Sequence, residues 1–378
     1  MSSEFLAAAD RIAAKLCRDA LWSNGQCNWT ADFADRDKVA GHRALTPDLY
    51  DGASGIALFL HRVAQASGER IFRITAEAAL RQCCSRIPPE HGGLYEGGAG
   101  ILYAELCMRG ELNCAQLMRQ AVPNPQRMDL MSGSAGAIAA LLAAYRRLHC
   151  RGLLERAIEH GELLLRRAEH SDDGLSWPMQ GMPKNLTGFS HGTAGIGWAL
   201  LELHQASEDA RFRDAALSAF AYERAHFNKE RGNWPDFRRQ PAGYMNAWCH
   251  GAAGIGLSRV RAWELLGDET VLGEAMTALG AVAAQLSATD NWSLCHGAAG
   301  NADILVYAAT TLDRPEFLDV AREAGTQALE HFLKRRLPWP CGIAGASELP
   351  DLMLGLAGIG HFYLRLADPS LPTPLLPL

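Results

Sequence analysis

The ten residues AWCHGAAGIG, from Ala247 to Gly256, recur in nearly the same form as SLCHGAAGNA, from Ser293 to Ala302. Each copy places Cys-His-Gly directly before two alanines and a second glycine. Two explanations compete for this doubling. Either the repeat is structural and happens to carry cysteine and histidine, or the two copies converge on one metal ion.

The Gly-x-x-Gly core of this stretch occurs seven times along the chain, each time followed by an apolar run. Successive copies begin 36 to 59 residues apart, and their first glycines are Gly52, Gly97, Gly133, Gly192, Gly251, Gly297 and Gly355. One such motif would carry no information, whereas seven copies with matched flanks indicate an internal repeat.

The segments around each motif have helical periodicity. The run after each motif is apolar on nearly every face, as in IALFLHRVA or IGWALLEL, which is typical of a buried helix. The segment before the motif is amphipathic and charged, as in LLERAIEHGELLLRRA. No segment alternates with period two over a useful length, so we expect very little sheet. The pattern predicts an all-α fold in which seven inner helices form a closed ring inside seven outer ones.

The chain has 378 residues, which is enough for one large domain or two ordinary ones. We expect a single domain over residues 1–378. Within it we expect a helical lead-in over 1–45, the seven repeats over 46–362 and a proline-rich tail over 363–378.

Composition and charge argue against several classes of function. The net charge is −6 and the pI is about 6.1, and no cluster of lysine and arginine is dense enough for a nucleic-acid partner. No apolar run reaches the roughly 18 residues of a membrane span. The N-terminus carries Glu4 and Asp10 and lacks the basic region of a signal peptide. We therefore expect a cytoplasmic protein whose ten cysteines stay reduced.

The candidate functional residues are the two that precede each first glycine. Every inner helix of the predicted ring begins at the same end, so we expect these residues to lie at that end together. Cysteine or histidine occupies these positions in three consecutive repeats, at Ser190-His191, Cys249-His250 and Cys295-His296. Two cysteines with histidines are ligands that zinc prefers. A closed four-ligand site and an open three-ligand site both remain possible. Asp129 and His191 precede neighbouring glycines and offer an acid–base pair beside an open site.

Three long loops precede inner helices where the repeat spacing is widest, over Ser171–Gly188, Asn228–Ala247 and Lys334–Pro350. Loops of this length in a compact domain are usually functional. We expect them to form a peptide-binding rim, with a solvated collar as the alternative. The expected substrate-binding residues are Trp177, Trp234, Arg238 and Arg239, together with His250.

These motifs resemble those of the lanthionine cyclases, and most closely the C-terminal cyclase domain of class II lanthipeptide synthetases. The matching motifs are W-C-H-G near 249, L-C-H-G near 295, H-G-T-A-G at 191 and D-L-M-S-G at 129. The resemblance extends from about Thr46 to Leu378. It implies an α/α toroid with one zinc ion.

The resemblance also implies roles for individual residues. It makes Cys249, Cys295 and His296 the zinc ligands, leaves His250 as a neighbour outside the ligand set, and makes His191 and Asp129 the acid–base pair. Such enzymes add peptide cysteine thiols to dehydroalanine or dehydrobutyrine, so the implied partner is a dehydrated precursor peptide. This chain lacks the dehydratase region of a class II synthetase, so we expect either a separate cyclase that works with other modification enzymes or an excised domain.

Other functions stay open at this point. The chain could add glutathione to proteins that contain dehydroamino acids, in the manner of related proteins, or act as a non-catalytic peptide-binding scaffold with structural zinc. A glycan-processing enzyme would need paired carboxylates. Only Asp51 and Glu96 stand at equivalent positions before the motif glycines, which weighs against that reading.

Overall fold

The computed structural model describes residues 2–35, 38–88 and 92–377. In this part of the chain, each Gly-x-x-Gly motif is followed by a helix that begins one residue after its first glycine. We call these seven the motif helices: α2 (Ala53–Ser67), α4 (Gly98–Arg109), α6 (Ser134–Leu148), α8 (Thr193–Ser207), α10 (Ala252–Leu266), α12 (Ala298–Thr311) and α14 (Leu356–Ala367).

The other helices flank the motif helices in sequence. They are α1 (Ser2–Asp19), α3 (Arg70–Cys84), α5 (Cys114–Gln120), α7 (Arg151–Arg167), α9 (Ala210–Ala225), α11 (Glu269–Gln285) and α13 (Pro315–Ala328). A short 3₁₀ turn, Leu286–Ala288, follows α11, and a π-helical turn, Leu329–Lys334, follows α13.

Sheet structure in the described residues is confined to three antiparallel hairpins, in agreement with the sequence analysis. They pair β1 (Leu21–Ser23) with β2 (Gln26–Asn28), β3 (Thr30–Asp35) with β4 (Lys38–Ala44), and β5 (Glu169–Ser171) with β6 (Gly174–Ser176). The expected helical lead-in is therefore helical only over α1. The signal for the first hairpin is Asn24-Gly25, where both residues have positive φ and form the turn.

The chain divides into two compact units. The first contains Met1–Ile87, Cys107–Arg109 and Gln285–Leu375. Within it, α2 packs on α3, α12 on α13 and α1 on α14, while α14 also contacts α2 and α12. The N-terminal helix thus serves as the flanking partner of the last motif helix, a pairing that the sequence order did not reveal. The single-domain organisation over 1–378 stays a prediction.

The second unit contains Pro88–Leu106, Gly110–Ala284 and Leu376–Leu378. Within it, α6 packs on α7 and α8 on α9, and α8 lies between α6 and α10. The second glycine of the motif permits tight entry into these helices. A Cβ atom at Gly195 or Gly254 would overlap the carbonyl oxygen six residues earlier in the preceding loop.

One helical stretch among the described residues, Glu269–Ala288, has the length and composition of a membrane span, contrary to our reading of the sequence. Core helices of proteins that do not span membranes commonly have the same length and composition. Glu274 within it forms ion pairs with Arg224 and Arg259, and Val271 and Leu279 are buried.

Candidate metal centre and acid–base pair

The loops before the motif helices are joined to each other by backbone hydrogen bonds at the residue two before the first glycine. In the first unit, Cys295 N–H donates to the Met353 carbonyl and Met353 N–H donates to the Tyr50 carbonyl, both at 2.9 Å. In the second unit, the N–H groups of Phe189 and Ser190 donate to the Cys249 carbonyl at 3.1 Å. Each of these loops therefore fixes the backbone of its neighbour.

The structure groups three of the predicted ligands. The sulfur atoms of Cys249 and Cys295 and a ring nitrogen of His296 all lie within 4.8 Å of one another. Both cysteines are buried. His250 is not a member of this group, which is the one set of cysteine, histidine and carboxylate side chains within metal-binding distance found among the described residues.

The ring of His296 is held by a backbone carbonyl. Its Nε2 lies 2.8 Å from the oxygen of Gly342, so Nε2 carries the proton in the neutral ring and the lone pair lies on Nδ1. Histidines that bind metals usually donate their second ring nitrogen in this way. The donor set of two thiols and an imidazole with a fixed tautomer therefore fits zinc. Sequence reasoning did not find Gly342, which lies 46 residues beyond His296 in a loop.

The two Cys-His-Gly copies have different backbone conformations although their sequences are nearly the same. Gly251 has φ +83°, whereas Gly297 has φ −115°. A Cβ atom at Gly251 would overlap the Met245 carbonyl. The positive φ of this position is also disfavoured for any residue that has a side chain. His250 and His296 therefore precede glycines of different backbone conformation.

His250 lies in the protein interior. Its side chain is 1% exposed, and its Nδ1 is 4.0 Å from the Asp236 carboxylate. Burial lowers the pKa of His250 well below its usual value, and the positive charge of Arg238 acts in the same direction. Its ring stacks on that of His191, with centroids 6.0 Å apart. The arrangement makes His250 a neutral packing partner of His191.

Asp129 and His191 form the predicted pair. His191 Nδ1 lies 2.6 Å from Asp129 Oδ2, while Oδ1 of the same carboxylate accepts the Ser132 N–H at 2.9 Å. Asp129 is 6% exposed, and the His191 side chain is 25% exposed. Both oxygens of Asp129 are thus engaged, and His191 presents Nε2 as its remaining ring nitrogen.

The pKa of His191 is raised above its usual value. Burial on its own lowers this pKa, but the hydrogen bond and negative charge of Asp129 outweigh burial. Glu96 and Cys249 add smaller contributions that raise it further. A histidine with a raised pKa carries its proton over more of the neutral range, which suits a proton donor.

The turn contact of Asp129 is shared by other repeats. Asp351 accepts the Leu354 N–H at 2.7 Å and Asp48 accepts the Asp51 N–H at 3.1 Å, in each case directly before a motif glycine. The carboxylate at this position therefore closes the turn. What distinguishes Asp129 is its contact with a histidine, His191.

The predicted peptide-contacting tryptophans are buried. Trp177 is 4% exposed and donates its indole N–H to the Leu164 carbonyl, and Trp234 is 2% exposed and donates to the Glu223 carbonyl. Trp29 makes the same contact with Leu16 at the end of α1. These indoles satisfy carbonyls at the ends of flanking helices. Their contact with a peptide stays a prediction, and their main visible role is packing.

The loop arginines differ from each other. Arg238 forms a two-pronged ion pair with Asp236, which lowers the pKa of that carboxyl despite its burial. Arg239 is exposed. A cavity of about 210 Å³ lies beside the acid–base pair and is lined in part by Trp177, Met179, Asp129 and His191. Of the predicted substrate-binding residues, Trp177 is the one that reaches this cavity.

The sequence profile of the lanthionine synthetase C-like family matches residues 43–376. The chain belongs to that family. A curated relative, the lacticin 481/lactococcin biosynthesis protein LcnDR2 of Lactococcus lactis subsp. lactis, is 25% identical over 203 residues. This match covers 49% of the chain and 21% of the relative, so the chain spans about a fifth of that protein.

Solved structures with the same fold include a nisin cyclase, at 17% identity and a TM-score of 0.66, with 85% of this chain and 88% of that one covered. A sugar epimerase from a ruminal bacterium is similar at 13% identity and a TM-score of 0.52, with 99% and 100% covered. At such identities the likeness shows the fold alone, and it confirms the α/α toroid class of seven inner and seven outer helices.

Proposed function

We propose that this chain is a zinc-dependent lanthipeptide cyclase. It adds cysteine thiols of a dehydrated precursor peptide to dehydroalanine or dehydrobutyrine and so forms lanthionine or methyllanthionine rings. The observation that carries the proposal is the Cys249, Cys295 and His296 group in a member of the lanthionine synthetase C-like family. The substrate must first be dehydrated, so a dehydration reaction precedes this one.

The reaction forms one bond and moves one proton. The peptide thiol gives up its proton, its sulfur bonds to the β-carbon of the dehydroamino acid, and the π bond between the two carbons breaks, with its electron pair moving to the α-carbon. The α-carbon then takes a proton, so the product has the mass of the reactant. A free cysteine thiol is mostly protonated at neutral pH, with a pKa near 8.5. Zinc bound by Cys249, Cys295 and His296 would supply a substrate thiolate at that pH.

The chain's own residues supply the rest. His191 holds a proton on Nε2 and donates it to the α-carbon, while Asp129 fixes the ring through Nδ1 and favours its charged form. The Gly342 carbonyl orients His296. Burial of Cys249 and Cys295 keeps water away from the sulfur atoms. All ten cysteines are free of disulfides, which fits a reducing compartment such as the cytoplasm.

The test uses a dehydrated peptide that contains cysteine, incubated with the zinc-loaded protein. Ring formation leaves the mass unchanged and removes the free thiol, so the product no longer reacts with an alkylating agent. A mass increase equal to glutathione, when glutathione is present, would instead indicate addition in trans. Retention of alkylatable thiol at every time point, together with tight peptide binding, would indicate a non-catalytic scaffold.

A further inference from the structure

A cationic groove of about 600 Å³ lies between α1 and the segment after the π-helical turn, within the first unit. We define it by its four cationic side chains, which are Arg11, Lys15, Arg18 and Arg336. Glu348 is the one carboxylate in its lining. The whole chain carries a net charge of −6, so the positive charge of this groove is opposite in sign to the net charge of the protein.

Three of the four cations lie in one row. Arg11, Lys15 and Arg18 are spaced by four and three residues, which places them on one face of α1. Lys15 pairs with Glu348, and Arg18 pairs with Asp19 next to it in the chain. Arg11 and Arg336 are exposed and form no ion pair with any residue in the described ranges. The groove therefore has positive charge to offer to a ligand.

The opposite wall of the groove is apolar and aromatic. Trp339 is 5% exposed and packs on Phe332, with ring centroids 4.8 Å apart, and on Trp292 at 5.7 Å. Leu337 stands at the lip and is 42% exposed. A fixed aromatic floor and an exposed apolar lip suit a ligand that has apolar side chains beside its charges.

We propose that the cationic groove binds an acidic segment of the substrate peptide, with carboxylates that face the α1 row and apolar side chains that face Trp339 and Leu337. The volume lies within the range of ligand pockets and suits a short segment rather than a flat protein face. Complementary charge would speed association and fix the direction in which the segment lies.

The groove is joined to a candidate metal ligand by a short piece of chain. Trp339 lines the groove, and the Pro340 carbonyl accepts the Trp292 N–H at 2.7 Å. Two residues further, the Gly342 carbonyl holds His296. This link places a bound acidic segment on the loop that orients His296. The assignment of the occupant as substrate rests on the proposed function.

The test measures binding of a labelled synthetic peptide that carries glutamate and leucine, and of its glutamine counterpart, to the zinc-loaded protein. We expect the double variant Arg11→Glu, Arg336→Glu to weaken binding of the glutamate peptide about tenfold or more, with unchanged zinc content. The control is Arg70→Glu, Arg73→Glu on α3, where both arginines are likewise exposed and form no ion pair in the described structure. An equal loss of binding in the control variant, or equal binding of the glutamine peptide, would overturn the proposal that the cationic groove binds an acidic segment.

A second arm tests the source of the segment. We expect fusion of the acidic segment to a dehydrated core peptide to lower KM for ring formation about tenfold, and the groove variant to remove this gain without loss of activity on the unfused core. Binding of the free segment with no change in KM on fusion would overturn the assignment to substrate and leave a separate protein as its source. Failure of the wild-type protein to cyclise any core peptide would defeat the proposed function alone, because groove binding is measured independently.

Discussion

Nδ1 of His191 lies 2.6 Å from Oδ2 of Asp129, and the other oxygen of that carboxylate closes the turn at Ser132. The Asp129 carboxylate thus both stabilises the turn and orients His191, the candidate proton donor. Asp48 and Asp351 close the same kind of turn. A variant at Asp129 can therefore be compared with one at Asp351 to separate the turn from the chemistry.

We expect Asp129→Asn to slow ring formation about 100-fold, because the amide keeps a turn acceptor but loses the charge that favours protonated His191. In the wild type, the rate should fall as pH rises through the raised pKa of His191. Loss of the Asp129 charge lowers that pKa, so the fall should move to lower pH in the variant. Rates of ring formation by the wild type and the variant, measured from about pH 5 to 9 where histidines titrate, test this prediction.

Asp351→Asn is the matched control, since no histidine in the described residues bonds to Asp351. It should keep the wild-type pH profile. An unchanged pH profile in Asp129→Asn, or the same shift in both variants, would remove Asp129 from its assigned role.

A second prediction concerns the carbonyl that orients His296. A Cβ atom at Gly342 would lie 3.2 Å from His296 Nε2 and 2.7 Å from the Leu354 side chain, so Gly342→Ala must move the ring or the loop. We expect zinc affinity to fall about 10- to 100-fold, as for other groups that orient metal ligands. Competition with a chelator measures it. Gly273→Ala on α11, where a Cβ atom meets nothing within 4 Å, should bind zinc normally.

The tryptophan contacts give a third prediction. Trp234→Ala should destabilise the protein by about 3–5 kcal/mol, because it leaves a cavity and removes the indole hydrogen bond to the Glu223 carbonyl. Trp22 is 47% exposed, and Trp22→Ala should change stability by about 0.5 kcal/mol or less. Denaturant unfolding compares the two. Equal stability of the Trp234 variant and the wild type, with weakened peptide binding, would contradict this packing role and support the peptide-binding rim.

The sequence predicted a buried helix at each motif, because the apolar run after the glycines has helical periodicity. The structure places the start of each helix inside the motif, one residue after its first glycine. It did not predict that α1 pairs with α14, since sequence order says nothing about which distant helices meet. The Asn24-Gly25 turn carried a hairpin signal that the dominant helical periodicity obscured.

The candidate site was predictable to the extent that the repeat places equivalent residues at equivalent positions. Cys249 and Cys295 follow from that register. The Gly342 carbonyl and the Asp236 partner of Arg238 do not, because they come from long loops outside the repeat. The burial of Trp177 and Trp234 could not be predicted either, because the sequence does not distinguish a loop tryptophan that packs on a helix end from one that faces solvent.

The most direct measurement is zinc per chain and cyclised product for two alanine variants, His296→Ala and His250→Ala, on one dehydrated peptide. We expect His296→Ala to lose zinc and ring formation together, because His296 belongs to the group with Cys249 and Cys295. We expect His250→Ala to keep its zinc and to lose activity only in part, because its ring packs on His191 outside that group. Equal zinc loss in both variants, or full zinc retention in His296→Ala, would contradict an open three-ligand site and the catalytic role built on it.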